Sequence, residues 1–263
     1  MRIAVVGSGL VGSALASALG RRGDRVTVLS PSPSEISGLW RHCEAVSGDG
    51  LREGIQDCDL VVYAAWSTAG KRTWELARMG PEHACVAAKE AQVPRFLMLG
   101  PTGANPEGRG EAGRGLCEAF EVCRKWEMRV QFVGLPVLFG EGDHLMAPWM
   151  EPLARGRRPR IQGPKCWVQP LWISDAIKLL LKFVDGEVRR PRVQVLGPER
   201  WRMMELGKLV CDTFSGRPAM FSSALSPVEI ALLEDQQTAI DNWEELDLWK
   251  RTRVKEWLAG RQL

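Results

Sequence analysis

The stretch that most constrains this chain is residues 2–30. An apolar run over 3–6 leads into Gly7-Ser8-Gly9-Leu10-Val11-Gly12. A helical stretch with Ala14, Ala16 and Ala18 follows, and then a second apolar run over 26–29. This is the strand, glycine loop, helix, strand order of a dinucleotide-binding unit. Gly7 allows the tight turn, and Gly9 lets the backbone approach a pyrophosphate. Gly12 lets the helix lie close on the first strand. Ser8, Leu10 and Val11 complete the cradle, where amides at the helix start face the phosphates and the helix dipole favours their charge.

A chain of 263 residues buries a large core and holds one big domain, or a domain with a small cap. A net charge of +3 is too mild for a nucleic-acid partner. No apolar run reaches membrane-spanning length, and the first strand starts at the second residue, so neither a membrane nor a signal peptide is expected. The seven cysteines form no Cys-x-x-Cys pair, and the three histidines stand at no metal spacing. No metal site is expected. An odd, scattered set of thiols suits the reducing cytoplasm.

Strand and helix patterns alternate along the first half. Strands are expected over 43–46, 59–65, 95–99 and 129–135, with helices over 73–92 and 116–127 and a glycine-rich loop over 100–115. Such alternation predicts an α/β chain with a doubly wound parallel sheet covered on both faces. The rhythm breaks after Gly140. A helix over 174–185 follows, with Ser174 as its expected N-cap and Asp175 in its first turn. A last strand is expected over 193–196, and the remainder reads as amphipathic helix.

Further markers stand in order behind the glycine loop. They are Gly48-Asp49, Asp59-Leu60-Val61-Val62-Tyr63-Ala64-Ala65, Val93-Pro94-Arg95-Phe96-Leu97-Met98-Leu99-Gly100 and Leu135-Pro136-Val137-Leu138-Phe139-Gly140-Glu141-Gly142-Asp143. Gln169-Pro170-Leu171-Trp172-Ile173-Ser174-Asp175-Ala176 and Val195-Leu196-Gly197-Pro198-Glu199 complete the series. From residue 2 to about 217 the chain resembles the extended and atypical short-chain dehydrogenase/reductases, the NAD-dependent epimerase/dehydratase-like group. The resemblance implies a Rossmann domain over 1–140, with the helix over 174–185 packing back on it. It also implies a smaller, mostly helical substrate region over 141–173 and 186–263. It places Ala64, Ala65, Trp66 and Pro136 along the cofactor, and Asp49 and Gly50 near its adenine.

The chain departs from that family at its chemistry. The usual reaction needs Tyr-x-x-x-Lys on the helix after the fifth strand, to move a proton and hold the nicotinamide ribose. The only tyrosine here is Tyr63, inside a strand, where it reads as a packing residue. The matching positions read Gly110 and Arg114, with Glu118 one turn on. Thr102 stands at the family's Ser/Thr position. Leu135 replaces an arginine that many relatives carry, which argues against a sugar-nucleotide substrate.

Four catalytic candidates follow, each with a plainer alternative. Arg114 suits ribose or phosphate binding, or is an exposed helix arginine; it stays charged and is no general acid. Glu111 suits proton transfer if buried, or is a solvated carboxylate at a helix start. His144 falls where the resemblance admits substrate, or is a surface-loop histidine. Thr102 suits a bond to a substrate carbonyl, or caps its own loop.

Folds that prefer NAD place an acid at the end of the second strand. Here Ser30-Pro31-Ser32 stands there, with no acid before Glu35, which favours NADP(H) over NAD(H). Ser30 and Ser32 are either phosphate donors or turn formers. Trp149, Trp167, Trp172 and Trp201 lie in the substrate half, as pocket walls or as core. The run 155–160 carries four arginines, for an anionic substrate or as a solvated loop. The expected function is an NADP(H)-dependent oxidoreductase acting on a small apolar or aromatic metabolite, as a monomer or homodimer. A non-catalytic NADP(H)-binding regulator or assembly factor, and a non-redox lyase or isomerase, stay open.

Overall fold

The computed structural model describes residues 1–33, 38–67, 72–214, 219–222, 236 and 239–261. The expected opening unit forms as β1 (Arg2–Val6), α1 (Leu10–Arg21) and β2 (Arg25–Ser30). β3 (Leu39–His42), α2 (Leu51–Ile55), β4 (Leu60–Tyr63), α3 (Thr73–Glu90), β5 (Arg95–Pro101), α4 (Glu111–Cys123) and β6 (Arg129–Leu135) follow. With β11 (Arg192–Gln194) these strands form a seven-stranded sheet in the order β3-β2-β1-β4-β5-β6-β11, parallel at every pairing.

The continuous apolar runs of the inner strands are buried on both faces, as a parallel sheet requires. Ile3 and Val5 point to one face, where they meet Leu15 and Ala16 of α1 and Ala176, Leu180 and Phe183 of α6 (Ile173–Val184). Ala4 and Val6 point to the other, among Ala84 and Cys85 of α3 and Leu116 and Phe120 of α4. α6 thus packs on the same face of the sheet as α1.

The smaller region has its own core. It is built on α5 (Ala147–Ala154), α7 (Met203–Phe214) and α8 (Val254–Ala259), with Phe139, Met146, Trp149, Ile161, Leu206 and Trp257 at its centre. Short strands accompany these helices. β7 (Leu138–Phe139) pairs with β10 (Leu171–Trp172), β8 (Arg160–Gln162) with β13 (Met220–Ser222), and β9 (Trp167–Val168) with β12 (Trp201–Arg202). The outer edge of β11 is covered by Asn242, whose N–H donates to Gln194 O at 2.8 Å and whose Oδ1 accepts Gln194 N–H at 2.9 Å.

Three sequence expectations are corrected. The third strand lies at Leu39–His42, not 43–46; residues 43–50 instead form a turn closed by the Glu44–Asp49 bridge. α4 begins at Glu111, so Gly113 and Gly115 belong to the helix rather than to a loop. A Cβ at Gly115 would stand 3.0 Å from Ala77 Cβ, and one at Gly113 3.3 Å from Ala104 Cα, so these glycines let α4 press on α3 and on the loop after β5. α6 starts at Ile173 with Trp172 as N-cap, and Ser174 lies inside it. Among the described residues no helix is long and apolar enough to cross a membrane.

Candidate functional site

The site lies at the carboxyl ends of the strands, where the order turns from β1-β2-β3 to β4-β5-β6. This is the topological switch point at which open α/β sheets bind ligands. Gly7 follows β1 with φ +106°, a conformation open to glycine and strained for other residues. A Cβ there would stand 2.7 Å from the Ala65 backbone nitrogen, so Gly7 lets the two crossing chains touch. A Cβ at Gly12 would stand 2.1 Å from Gly7 O, which seats α1 directly under the loop. At Gly9 a Cβ would meet nothing within 4 Å. Gly9 therefore borders open space, as a backbone that admits a pyrophosphate must.

α1 starts without a side-chain cap and without an acid in its first turn. The amides of Leu10, Val11 and Gly12 have no partner within the helix by its geometry. Ser13 N–H donates to Gly9 O at 2.9 Å, and Ser13 Oγ donates to Ser8 O at 2.7 Å, which fixes the loop from beneath. The residues present therefore fit a dinucleotide pyrophosphate. Ala64 anchors the facing wall, its N–H donating to Val6 O at 2.8 Å, and Ala64, Ala65 and Trp66 are half-buried beside the loop.

The other expected residues fall into two groups. Gly142 comes over the start of α1, its ideal Cβ position 3.9 Å from Leu10 Cδ1, and His144 is exposed two residues on. Asp143, which closes the marker over 135–143 but carries no assigned role in the sequence, organises that loop. Its carboxylate is buried and accepts the N–H of Gly140 at 2.8 Å, of Leu145 at 2.7 Å and of Met146. The signal was an aspartate just ahead of a helix. Glu111 is half-buried at the first turn of α4, and Pro136 is buried just after β6.

The second group is engaged within the protein. Thr102 is fully buried; its Oγ1 donates to Val195 O at 2.6 Å and its N–H to Leu135 O at 2.8 Å, joining the ends of β5, β6 and β11. Arg114 donates to Gly108 O at 2.9 Å and Arg109 O at 3.1 Å, and so shapes the loop ahead of α4. Glu118 accepts Arg78 at 3.1 Å. Tyr63 is buried and donates to Leu76 O at 2.6 Å; burial, aided by Cys43, pushes its phenol far above the usual range. The only tyrosine is thus a core residue. Cys43 is no nucleophile either, since burial, with Glu44 and Asp49 nearby, raises its thiol to about 12.

At the carboxyl end of β2, Ser30 is buried. Its hydroxyl donates to Ser32 O at 2.7 Å and accepts the indole N–H of Trp40 at 3.1 Å, so its one proton closes the turn after β2. Ser32 is exposed, and Glu35 lies outside the described residues. Asp49 is exposed and accepts the Ser47 hydroxyl at 2.7 Å. Gly50, with φ +77°, sits so close to His42 O that a Cβ would stand 2.3 Å away.

The tryptophans of the substrate half divide. Trp149 is core, Trp172 and Trp201 pack against that core, and Trp167 lies under Arg200 and Arg202, at 4.7 and 4.8 Å. The arginines of 155–160 are exposed.

A seven-stranded parallel sheet with a glycine cradle at its switch point defines a Rossmann-type nucleotide-binding fold. No family model matches the chain, and no curated protein matches it in sequence. Solved structures do match over nearly its whole length. WbmH of Bordetella bronchiseptica, solved with NAD+, is 16% identical, with 98% of this chain and 96% of that chain covered and a TM-score of 0.76. TunA, an NAD-dependent NDP-hexosamine 5,6-dehydratase of tunicamycin biosynthesis, is 16% identical over 98% of this chain and 95% of its own, with a TM-score of 0.80. The UDP-glucose 4-epimerase of Thermotoga maritima is 15% identical over 98% and 96%, also with a TM-score of 0.80. This chain has the fold of the NAD-dependent epimerases and dehydratases.

Proposed function

We propose that the protein is a nicotinamide-dinucleotide-dependent oxidoreductase of the atypical short-chain type, acting on a small apolar or aromatic metabolite in the cytoplasm. The observation that carries this reading is the division of labour among the three glycines. Gly7 and Gly12 are required by backbone contacts of 2.7 and 2.1 Å, while Gly9 faces open space beside the uncapped start of α1. In this reading Gly9, Leu10 and Val11 hold the pyrophosphate, and Ala64 to Trp66 and Pro136 line the path toward the nicotinamide. When bound, the cofactor supplies the hydride chemistry. The chain orients the substrate and moves the proton, through Glu111 or His144 or through water. Thr102 and Arg114 act as positioning residues that hold the rim.

NADP(H) is the favoured form, because neutral Ser30 replaces the acid that would repel a 2′-phosphate. The solved relatives with NAD in their sites argue for NAD(H) instead. Calorimetry with NADPH and NADH tests the cofactor, followed by turnover on a panel of aromatic aldehydes, ketones and enones. Absence of binding by both cofactors at millimolar concentration overturns the reading. A second reading, a dinucleotide-binding regulator without turnover, gains support from the engagement of Thr102, Arg114 and Tyr63 inside the fold. Binding without hydride transfer on the whole panel would favour it.

A further inference from the structure

We infer that His42 is the residue that meets the 2′ substituent of the adenosine ribose, and that it selects a 2′-phosphate. The inference rests on the cofactor reading above and deepens it.

β2 and β3 run in parallel register with Ser30 opposite His42, so the two side chains leave the sheet on the same face and at the same carboxyl edge. Ser30 holds the position where an acid would take the ribose hydroxyls, yet its proton already goes to Ser32 O. It has no donor left for a phosphate. On the other side, Gly50 rests on His42 O, which brings the Asp49-Gly50 pair expected near the adenine against the same residue. His42 therefore stands between the ribose position and the adenine position.

Its ring is held for that task. His42 Nδ1 lies 3.2 Å from Pro31 O. A carbonyl oxygen only accepts, so Nδ1 carries the hydrogen and Nε2 is the ring nitrogen left for a ligand. The Trp40 ring stands edge-on to the imidazole at 6.4 Å, and its own N–H fixes Ser30. The neighbouring cation does not compete for the role. Arg41 points to the other face, where it donates to Glu53 O at 3.4 Å. Among the described residues, the acids after β3 are engaged too, Glu44 with Arg72 at 3.7 Å and Asp49 with the Ser47 hydroxyl at 2.7 Å. A phosphate beside Nε2 can receive a charge-assisted hydrogen bond from the imidazolium form of the ring.

The test needs no turnover. Calorimetry on the intact chain with 2′,5′-ADP and with 5′-ADP isolates the 2′ group from the nicotinamide. The wild type should bind 2′,5′-ADP about tenfold tighter than 5′-ADP. His42→Ala should bring the two to parity, His42→Arg should restore the preference, and His42→Glu should reverse it. The exposed position makes all three variants foldable, which thermal melts check. An unchanged preference in His42→Ala, or no preference in the wild type, overturns the assignment while leaving dinucleotide binding intact. Failure of both nucleotides and of NADPH and NADH to bind overturns the assignment together with the cofactor reading.

Discussion

Asp175 and Thr252, 77 positions apart, are joined by a hydrogen bond of 2.7 Å from the Thr252 N–H to Asp175 Oδ2. Asp175 is buried in the first turn of α6, on the dinucleotide-binding half, and Thr252 leads into α8 of the smaller region. The same carboxylate accepts the Trp249 indole N–H and the Lys178 ammonium, each at 3.3 Å. One aspartate thus ties the last segment of the chain to the Rossmann core.

Asp175→Ala should therefore destabilise the protein by about 2–3 kcal/mol, because it strands buried donors as well as losing a charged acceptor. Urea denaturation measures the loss. The affinity for NADPH should stay within twofold of wild type under native conditions, since Asp175 lies outside the cradle.

The glycine loop separates folding from binding. Gly12→Ala places a methyl 2.1 Å from Gly7 O and should deform the loop, lowering both Tm and cofactor affinity. Gly9→Ala meets no protein atom within 4 Å, so its Tm should match wild type while NADPH binding weakens at least tenfold. Thermal melts paired with calorimetry distinguish the two. Equal affinity in Gly9→Ala would place the pyrophosphate elsewhere.

Tyr63→Phe should leave any turnover unchanged and cost about 1 kcal/mol, the worth of its bond to Leu76 O. The bond falls one residue before Ala77 O, the carbonyl that Pro81 leaves without a helical donor. Gly80 makes room for it, since a Cβ there would stand 2.1 Å from the phenol oxygen. Gly80→Ala should cost more than Tyr63→Phe, about 1–3 kcal/mol, by overpacking. Chemical denaturation ranks the pair.

The elements legible in the sequence were those whose burial is symmetrical. β6 was expected over 129–135 and forms there, because an inner parallel strand reads as an unbroken apolar run. β3 was misplaced because an edge strand needs no such run. Leu39-Trp40-Arg41-His42 is held by its ladder to Ser30 and its neighbours, whereas the apolar Cys43, Ala45 and Val46 are buried in a turn. The start of α4 was hidden because Gly113 and Gly115 read locally as breakers, and only Ala104 and Ala77 across the contact explain them. The glycine loop is legible from its spacing together with the apolar runs on either side. Thr102 and Ser30 did not reveal in sequence that their hydroxyls face Val195 and Ser32, since hydrogen-bond direction is a tertiary property.

Thr102→Val removes the donor to Val195 O and should cost about 1 kcal/mol of stability. Thr102→Ser should restore it, and neither change should selectively lower kcat. Glu111 and His144 stand differently, one half-buried at the head of α4 and one exposed beyond the loop that covers Leu10. If either moves the proton, Glu111→Gln or His144→Ala should lower kcat about a hundredfold with NADPH affinity unchanged. Steady-state kinetics on the best substrate of the carbonyl panel, with cofactor binding measured alongside, decides between them. Near-wild-type kcat in both variants leaves water as the donor and takes both residues out of the chemistry.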